Sequence, residues 1–585
     1  MKRVWREGAV ALLLPAALLL AASPAAADDL ASVIADYESF ARLHPMEAGR
    51  SDLADARTQW PRETPSDMAA RTAGLSAIAA RLDALPPSAD DAEARINRAY
   101  LREIAGFRLE GIAADERRFA FVAHDGFYNV PAYAAQQQRL RTAADARAWI
   151  ARLRGIPEYF SQQRANPERG IATGWTQPAV VVDVAVAVLR AQIATPAGAS
   201  PLMAPFDRDD GLDAPTRAAL RREAEAVIAA DVLPAQRAML AFIDGRYRAH
   251  ARPKIGIDSI PGGRAYYDFL LRYYTTTDLT AEQIHAIGLG EVKRIRGEMD
   301  KVIAGTGFTG SFAAFLALLR SDPRFRAPSR EALIDQASAI AKRIDAQLPR
   351  FFTILPRQPF AVVPVPADVE DHYTTARYAG ADFAAGLPGR YLVNTSHLDQ
   401  RPLYELPSLT LHEAAPGHHT HMALTAENAA LPFFRKEGDM LAYREGWALY
   451  AEKLGEEMGI YRDAYERFGR LSNEMWRACR MVADTGIHVM GWSYAQARAC
   501  FTENSALADV NIDSELARYI GAPAGAVAYK LGEIQIVRLR AKATAALGDR
   551  FDLRRFHDLI LAQGQIPMTL LAGRVDAWIA GEKRR

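Results

Sequence analysis

The chain has 585 residues, half of them hydrophobic and 24% charged, with 71 Lys and Arg against 70 Asp and Glu. That length exceeds what one simple core organises and predicts two or more lobes. A net charge of +1 leaves no electrostatic footprint for nucleic acid or an anionic surface as partner.

The N-terminus reads as a targeting segment. Lys2, Arg3 and Arg6 precede an Ala/Leu-rich run over residues 8–22, and Ala25, Ala26 and Ala27 lead into Asp28 and Asp29. This pattern predicts a signal peptide over residues 1–27, cleaved after Ala27. A membrane anchor is the alternative, although the run falls short of a full span. No cysteine lies near the cleavage point to carry lipid, and no later apolar run reads as a bilayer span. The mature protein is expected to be exported, soluble and periplasmic, without stable membrane insertion.

The fold class that follows is mainly α. Apolar residues recur at three- and four-residue spacing over 29–40, 92–107, 215–246, 280–303 and 330–348, and Thr280 opens one of these segments as a helix cap. Residues 192–215, rich in Pro, Ala, Asp and Gly, read as a loop. Residues 356–372 mix β-branched residues with several prolines, which suits an edge strand. Gly389–Thr395, GRYLVNT, is a second strand candidate. The expected architecture is a large helical protein with a cleft and a small sheet beside the key helix. An N-terminal helical lobe is assigned to 28–250 and a catalytic lobe to 251–585. Cys479 and Cys500 are the two cysteines. They form either a disulfide, which an oxidising compartment permits, or two buried thiols.

The segment LTLHEAAPGHHTH, Leu409–His421, carries the chemistry. Zinc takes imidazole nitrogen and carboxylate oxygen, and a catalytic site uses three protein ligands. The common peptidase spacing places histidines at i and i+4. Here His412 and His418 are six apart, roughly 240° out of phase on an ideal helix. Pro416 and Gly417 are where a helix breaks most readily, and a break there returns His418 to the face of His412. His419 is the weaker ligand candidate. Glu413, directly after His412, is placed to take a proton from the attacking water. In LAYREGWALYAEKL, Glu445 sits in apolar company, and a buried carboxylate needs a partner. We assign Glu445 as third ligand of one zinc ion and Glu452, seven residues on and on the same face, as the group that orients a histidine. The alternative is a capped helix end with Glu445 paired to an arginine.

HEAAPGHH followed by YREGWALYAE resembles the bacterial domain-of-unknown-function family 885 (DUF885), whose members resemble gluzincin-type zinc peptidases with an HExxPGHH signature. The resemblance extends through GRYLVNT, MVADTGIHVMGWS, AVAYKLGEIQIVRLR and FDLRRFHDLILAQGQIP, over roughly residues 30–580. It implies a helical metallopeptidase hydrolysing peptides, with His412, His418 and Glu445 as ligands and Glu413 as base.

An oxyanion needs a further donor. His488, with Asp484 to orient it from one turn before, is one candidate, and Tyr529 is the other; for each, a core role is the alternative. Asn394 on GRYLVNT is a candidate for substrate binding, the strand offering its edge to an extended peptide, and Arg540 for binding a substrate carboxylate; a plain sheet strand and an ordinary salt bridge are the alternatives. The expected activity is exported zinc-dependent hydrolysis of peptide bonds, with short peptides as partners. A zinc amidase acting on cell-wall stem peptides and a non-catalytic periplasmic binding protein with a degenerate metal site are the rivals.

Overall fold

The computed structural model describes residues 29–44, 59–86, 91–123, 125–208, 211–366, 370, 374–381, 387–438 and 440–585. The candidate signal segment, 1–27, lies outside them. Helices dominate, as the periodicity predicts. The Thr280 signal becomes a full capping box: its side chain accepts from the Gln283 N–H, and Gln283 reaches back to the Thr280 N–H, satisfying two donors that a helix start leaves open. The loop assigned to 192–215 contains short helical turns at 197–199, 201–203 and 204–207.

Six helices and one sheet position the site: α1 (Leu406–Glu413), α2 (His418–Glu427), α3 (Leu441–Glu457), α4 (Ala464–His488), α5 (Asp509–Gly521) and α6 (Ala528–Leu547). The sheet has three strands, β1 (Phe360–Pro364), β2 (Ala376–Ala379) and β3 (Gly389–Val393), in the order β1-β3-β2. β1 runs parallel to β3 with Phe360 opposite Gly389, and β2 runs antiparallel with Ala376 opposite Val393. The Pro-rich segment thus forms an edge strand, as its missing N–H donors require. GRYLVNT is the central strand. Its backbone is paired on both sides, so it has no edge to offer a peptide, which corrects the docking role expected of it.

Two large cores support these elements. One takes in α4 and helices from residues 134–247; the other holds α1, α3 and α6 together with Val33, Leu75 and Tyr100. Both draw on residues from either side of 250. The stretch Ala214–His250 is long and apolar enough to cross a membrane, where the sequence reading found no such run. Leu220, Val227, Ile228, Phe242 and Tyr247 from it are buried in the first core.

Candidate metal centre

The HEAAPGHH segment breaks where proline and glycine predict. α1 ends at Glu413, and the backbone leaves helical geometry at Ala414 (ψ −129°) and Gly417 (ψ −126°) before α2 starts at His418. Glycine is required at 417. A Cβ there would lie 2.0 Å from the His412 carbonyl oxygen and 2.4 Å from that of Leu411, far inside contact distance. The His419 N–H closes the turn on the Ala414 carbonyl at 3.2 Å. From α3, the Trp447 indole donates to the Pro416 carbonyl at 2.8 Å and holds the loop down.

This turn does what an unbroken helix could not. The His412 and His418 rings stand 4.8 Å apart, nearly perpendicular. Nε2 of His412 is 3.5 Å and Nε2 of His418 is 3.6 Å from Glu445 Oε2. One ligand atom from each of the three lies within 4.8 Å of the others, and all three residues are buried. Burial opposes ionisation of Glu445, but His418, His412 and Arg444 outweigh it and hold the carboxyl well below its usual range.

Glu452 takes the far side of His412. Its Oε1 accepts from Nδ1 at 2.8 Å and its Oε2 from the Ser408 hydroxyl at 2.6 Å. Asn473 donates to that hydroxyl, and Arg477 lies 3.6 Å from Oε1. Burial disfavours a charged His412, yet Glu445 and Glu452 carry it up to about 9. With Nδ1–H held on Glu452, loss of the Nε2 proton to a binding cation would leave the Nε2 lone pair directed at the cluster, the arrangement that metal-ligating histidines adopt. On His418 the buried Nδ1 has no hydrogen-bond partner among the described residues. Two imidazoles and a carboxylate, closed on one side and backed by a carboxylate–histidine pair, fit a zinc-type cation.

Glu413 lies beside the cluster and makes no hydrogen bond among the described residues, which leaves its carboxylate available. His419 turns away: Nδ1 bonds the Tyr378 hydroxyl at 2.9 Å and the ring packs on Phe360. His421, to which the sequence reading gave no role, is buried behind His418 with neither ring nitrogen partnered. Burial first, then the His418 and Arg444 charges, push it down to about 3.

Tyr529 comes to the same place through a helix crossing that glycine permits. A Cβ on Gly446 would fall 2.4 Å from the Gly532 carbonyl carbon, and one on Gly532 would fall 1.8 Å from the Ala442 oxygen. α3 and α6 therefore touch backbone to backbone, with Glu445 and Tyr529 flanking the contact. The Tyr529 hydroxyl makes no hydrogen bond among the described residues. Burial and the Glu445 charge raise its pKa. Next to it, the buried Lys530 ammonium donates to Glu474 and Glu533, both at 2.6 Å, fixing α6 against α4.

Four candidates stand elsewhere. His488 accepts from the Ile257 N–H at 3.1 Å and bonds the Tyr519 carbonyl at 3.0 Å. Both nitrogens are spent, and burial pushes its pKa down to about 3, so it has no donor for an oxyanion. Asp484 bonds the Tyr267 hydroxyl at 2.6 Å and the Ala524 N–H at 3.0 Å; it does not orient His488. Asn394 is fully buried; its amide donates to the Glu370 and Thr374 carbonyls and its oxygen accepts from Ser396. Arg540 grips Glu457 with two bonds of 2.7 Å and donates to Tyr450. None of these four is free for substrate. The sequence reading missed Ser408, Asn473 and Arg477 behind Glu452. Ser408 carried a signal, one turn before His412 on the same helix face.

Cys479 and Cys500 are free thiols, the Cys479 Sγ donating to the Cys500 carbonyl at 2.9 Å.

Comparison with known proteins adds a family and a fold. The family model described as "Bacterial protein of unknown function (DUF885)" matches residues 45–575. A crystal structure from Colwellia psychrerythraea, described as a "putative lipoprotein", superposes with a TM-score of 0.88 at 27% identity, over 94% of this chain and 99% of that one. A "putative lipoprotein of unknown function" from Shewanella oneidensis superposes with a TM-score of 0.72 at 18% identity, again over 94% and 99%; at that identity the likeness concerns fold alone. No curated protein matches the sequence.

Proposed function

The chain belongs to the DUF885 family, and on that premise we propose that it is a zinc-dependent peptidase of the gluzincin type. The observation that carries this reading is the grouping of His412, His418 and Glu445 within 4.8 Å, with Glu413 beside it. When bound, the ion supplies a Lewis acid that polarises a carbonyl and makes water a usable nucleophile at neutral pH.

The protein's own groups do the rest. Glu452 holds His412 in one tautomer and orientation. The Glu413 carboxylate accepts the proton of the attacking water and returns it to the leaving amine. The Tyr529 hydroxyl donates to the carbonyl oxygen as negative charge builds on it. We propose short peptides as the substrates and the periplasm as the location; the N-terminal pattern and the "putative lipoprotein" descriptions of the relatives support export. The geometry favours turnover over simple metal storage, because a binding site has no use for a carboxylate at 413.

The experiment compares wild type, His418→Ala and Glu413→Gln for metal content by elemental analysis and for hydrolysis of a mixed peptide library by mass spectrometry. Wild type is expected to carry about one zinc and to cut peptides. His418→Ala loses both, and Glu413→Gln keeps the metal and loses turnover. Zinc retained in full by His418→Ala, or undiminished turnover in Glu413→Gln, refutes the assignment.

A further inference from the structure

A cluster of guanidinium groups beside Tyr529 has no part in the scheme above. Arg480 on α4 lies with Cζ 4.6 Å from the Tyr529 ring centre. Arg518 on α5 is within electrostatic reach of the same phenol, as is Glu445. Both arginines are tied to one oxygen of one carboxylate. Glu515 Oε2 accepts from Arg480 Nη2 at 2.9 Å, from Arg518 Nη2 at 2.7 Å and from the Tyr519 hydroxyl at 2.5 Å. Two fixed positive charges thus share one negative charge. Asp484, the other carboxylate near Arg518, is already bonded to Tyr267 and Ala524.

The donors are not used up. Arg480 is 5% exposed, and its Nη1 is buried with no hydrogen-bond partner among the described residues. Leaving such a charged donor unpaired is costly. The Arg518 side chain is 35% exposed; its Nε and Nη2 bind Glu515, which leaves Nη1 with no hydrogen-bond partner among the described residues. A guanidinium held rigidly by its other nitrogens is a preorganised carboxylate receptor, because little entropy remains to be lost on binding.

We infer that Arg480 and Arg518 form a carboxylate subsite beside Tyr529 that takes the free C-terminus of a peptide. The inference rests on the peptidase reading and narrows it: the enzyme trims residues from C-terminal ends and does not cut chains internally. Arg518, the more exposed of the two side chains, supplies the donor. Arg480 supplies charge behind it and packs on the Tyr529 ring, coupling carboxylate binding to the placement of the phenol.

The test measures binding apart from turnover. The full chain carrying Glu413→Gln is titrated by calorimetry with N-acetyl-trialanine, with its C-terminal amide, and with an amide of equal length bearing a glutamate side chain. The free acid is expected to bind about 30-fold tighter than the plain amide, as loss of one hydrogen bond between charged groups implies, and adding Arg518→Gln is expected to reduce that preference at least tenfold. Equal binding of acid and amide overturns the proposal, as does a preference that survives Arg518→Gln. Glutamate amide binding as tightly as the free acid also overturns it, since the site would then read a side chain and not a terminus. Hydrolysis by the chain without the Glu413 change is assayed separately. Acid preference without any hydrolysis sinks the peptidase reading alone; hydrolysis without acid preference sinks the subsite alone.

Discussion

Gly446→Ala probes the contact that brings Glu445 and Tyr529 together. The new Cβ would lie 2.4 Å from the Gly532 carbonyl carbon and 2.6 Å from its Cα. These are backbone atoms of a second helix, so no rotamer change relieves the clash. Restoring an ordinary carbon–carbon separation of roughly 3.5 Å moves α3 from α6 by about 1 Å. Overpacking of this kind costs about 1–3 kcal/mol, against a gain of up to about 1 kcal/mol from replacing glycine inside a helix. The net loss of stability is therefore modest. The effect at the metal centre is larger, because ligand distances there tolerate only about 0.2 Å and Glu445 is the residue before the wedge. Zinc affinity, measured by competition with a chromophoric chelator, is expected to fall at least about tenfold, with the melting temperature slightly lowered. Gly290→Ala is the control: a Cβ there meets nothing within 4 Å, so affinity should not change and stability should hold or rise. Wild-type affinity in Gly446→Ala would refute the idea that the glycine crossing sets the third ligand.

Other expectations follow from the same geometry. Glu452→Gln removes the charge that fixes the His412 Nδ1 proton and should weaken zinc binding about 10–100-fold while the fold persists; circular dichroism beside the chelator titration checks both. Tyr529→Phe should lower kcat by about 100-fold with KM little changed, and a matched fall in His488→Gln at intact stability would restore the donor role denied to His488. Burial pushes the Asp484 carboxyl up to about 7 from 3.8. The folded chain therefore holds a proton that the unfolded chain releases between those values, and Asp484 costs stability as pH rises through that window, at most about 1.4 kcal/mol per pH unit. Asp484→Asn keeps an acceptor for Tyr267 and Ala524 and should flatten the decline of the urea midpoint between pH 5 and 7; an unchanged slope counts against the buried protonated carboxyl.

Much of the site is legible in the linear chain because its constraints are local. Pro416 and Gly417 end one helix within a few residues of where the next begins, and Gly417 fits only because it has no Cβ. That makes the odd spacing of His412 and His418 readable as a break. Glu445 and Glu452 share a face of a single helix, so their relation follows from its period. The same reasoning failed for Asp484 and His488. Helical spacing placed them on one side, but their partners are Tyr267, Ala524, Ile257 and Tyr519, contributed by elements distant along the chain or across a packing interface. Spacing says which way a side chain points, not what waits there.

Strand position failed for the same reason. GRYLVNT has the composition of a strand anywhere in a sheet, and its place between β1 and β2 depends on pairings the segment itself does not encode. Arg540 forms the ordinary salt bridge that was the alternative to substrate binding, but its partner, Glu457, is supplied by the fold. The sequence by itself determined the helical class, the broken HEAAPGHH turn and the residues able to hold a metal, since backbone sterics and helical period act over a handful of residues. Only the tertiary structure decided which donors stay open, Tyr529 and the arginines beside it among them, because packing sets whether a buried polar group meets a partner, and packing is a property of the whole chain.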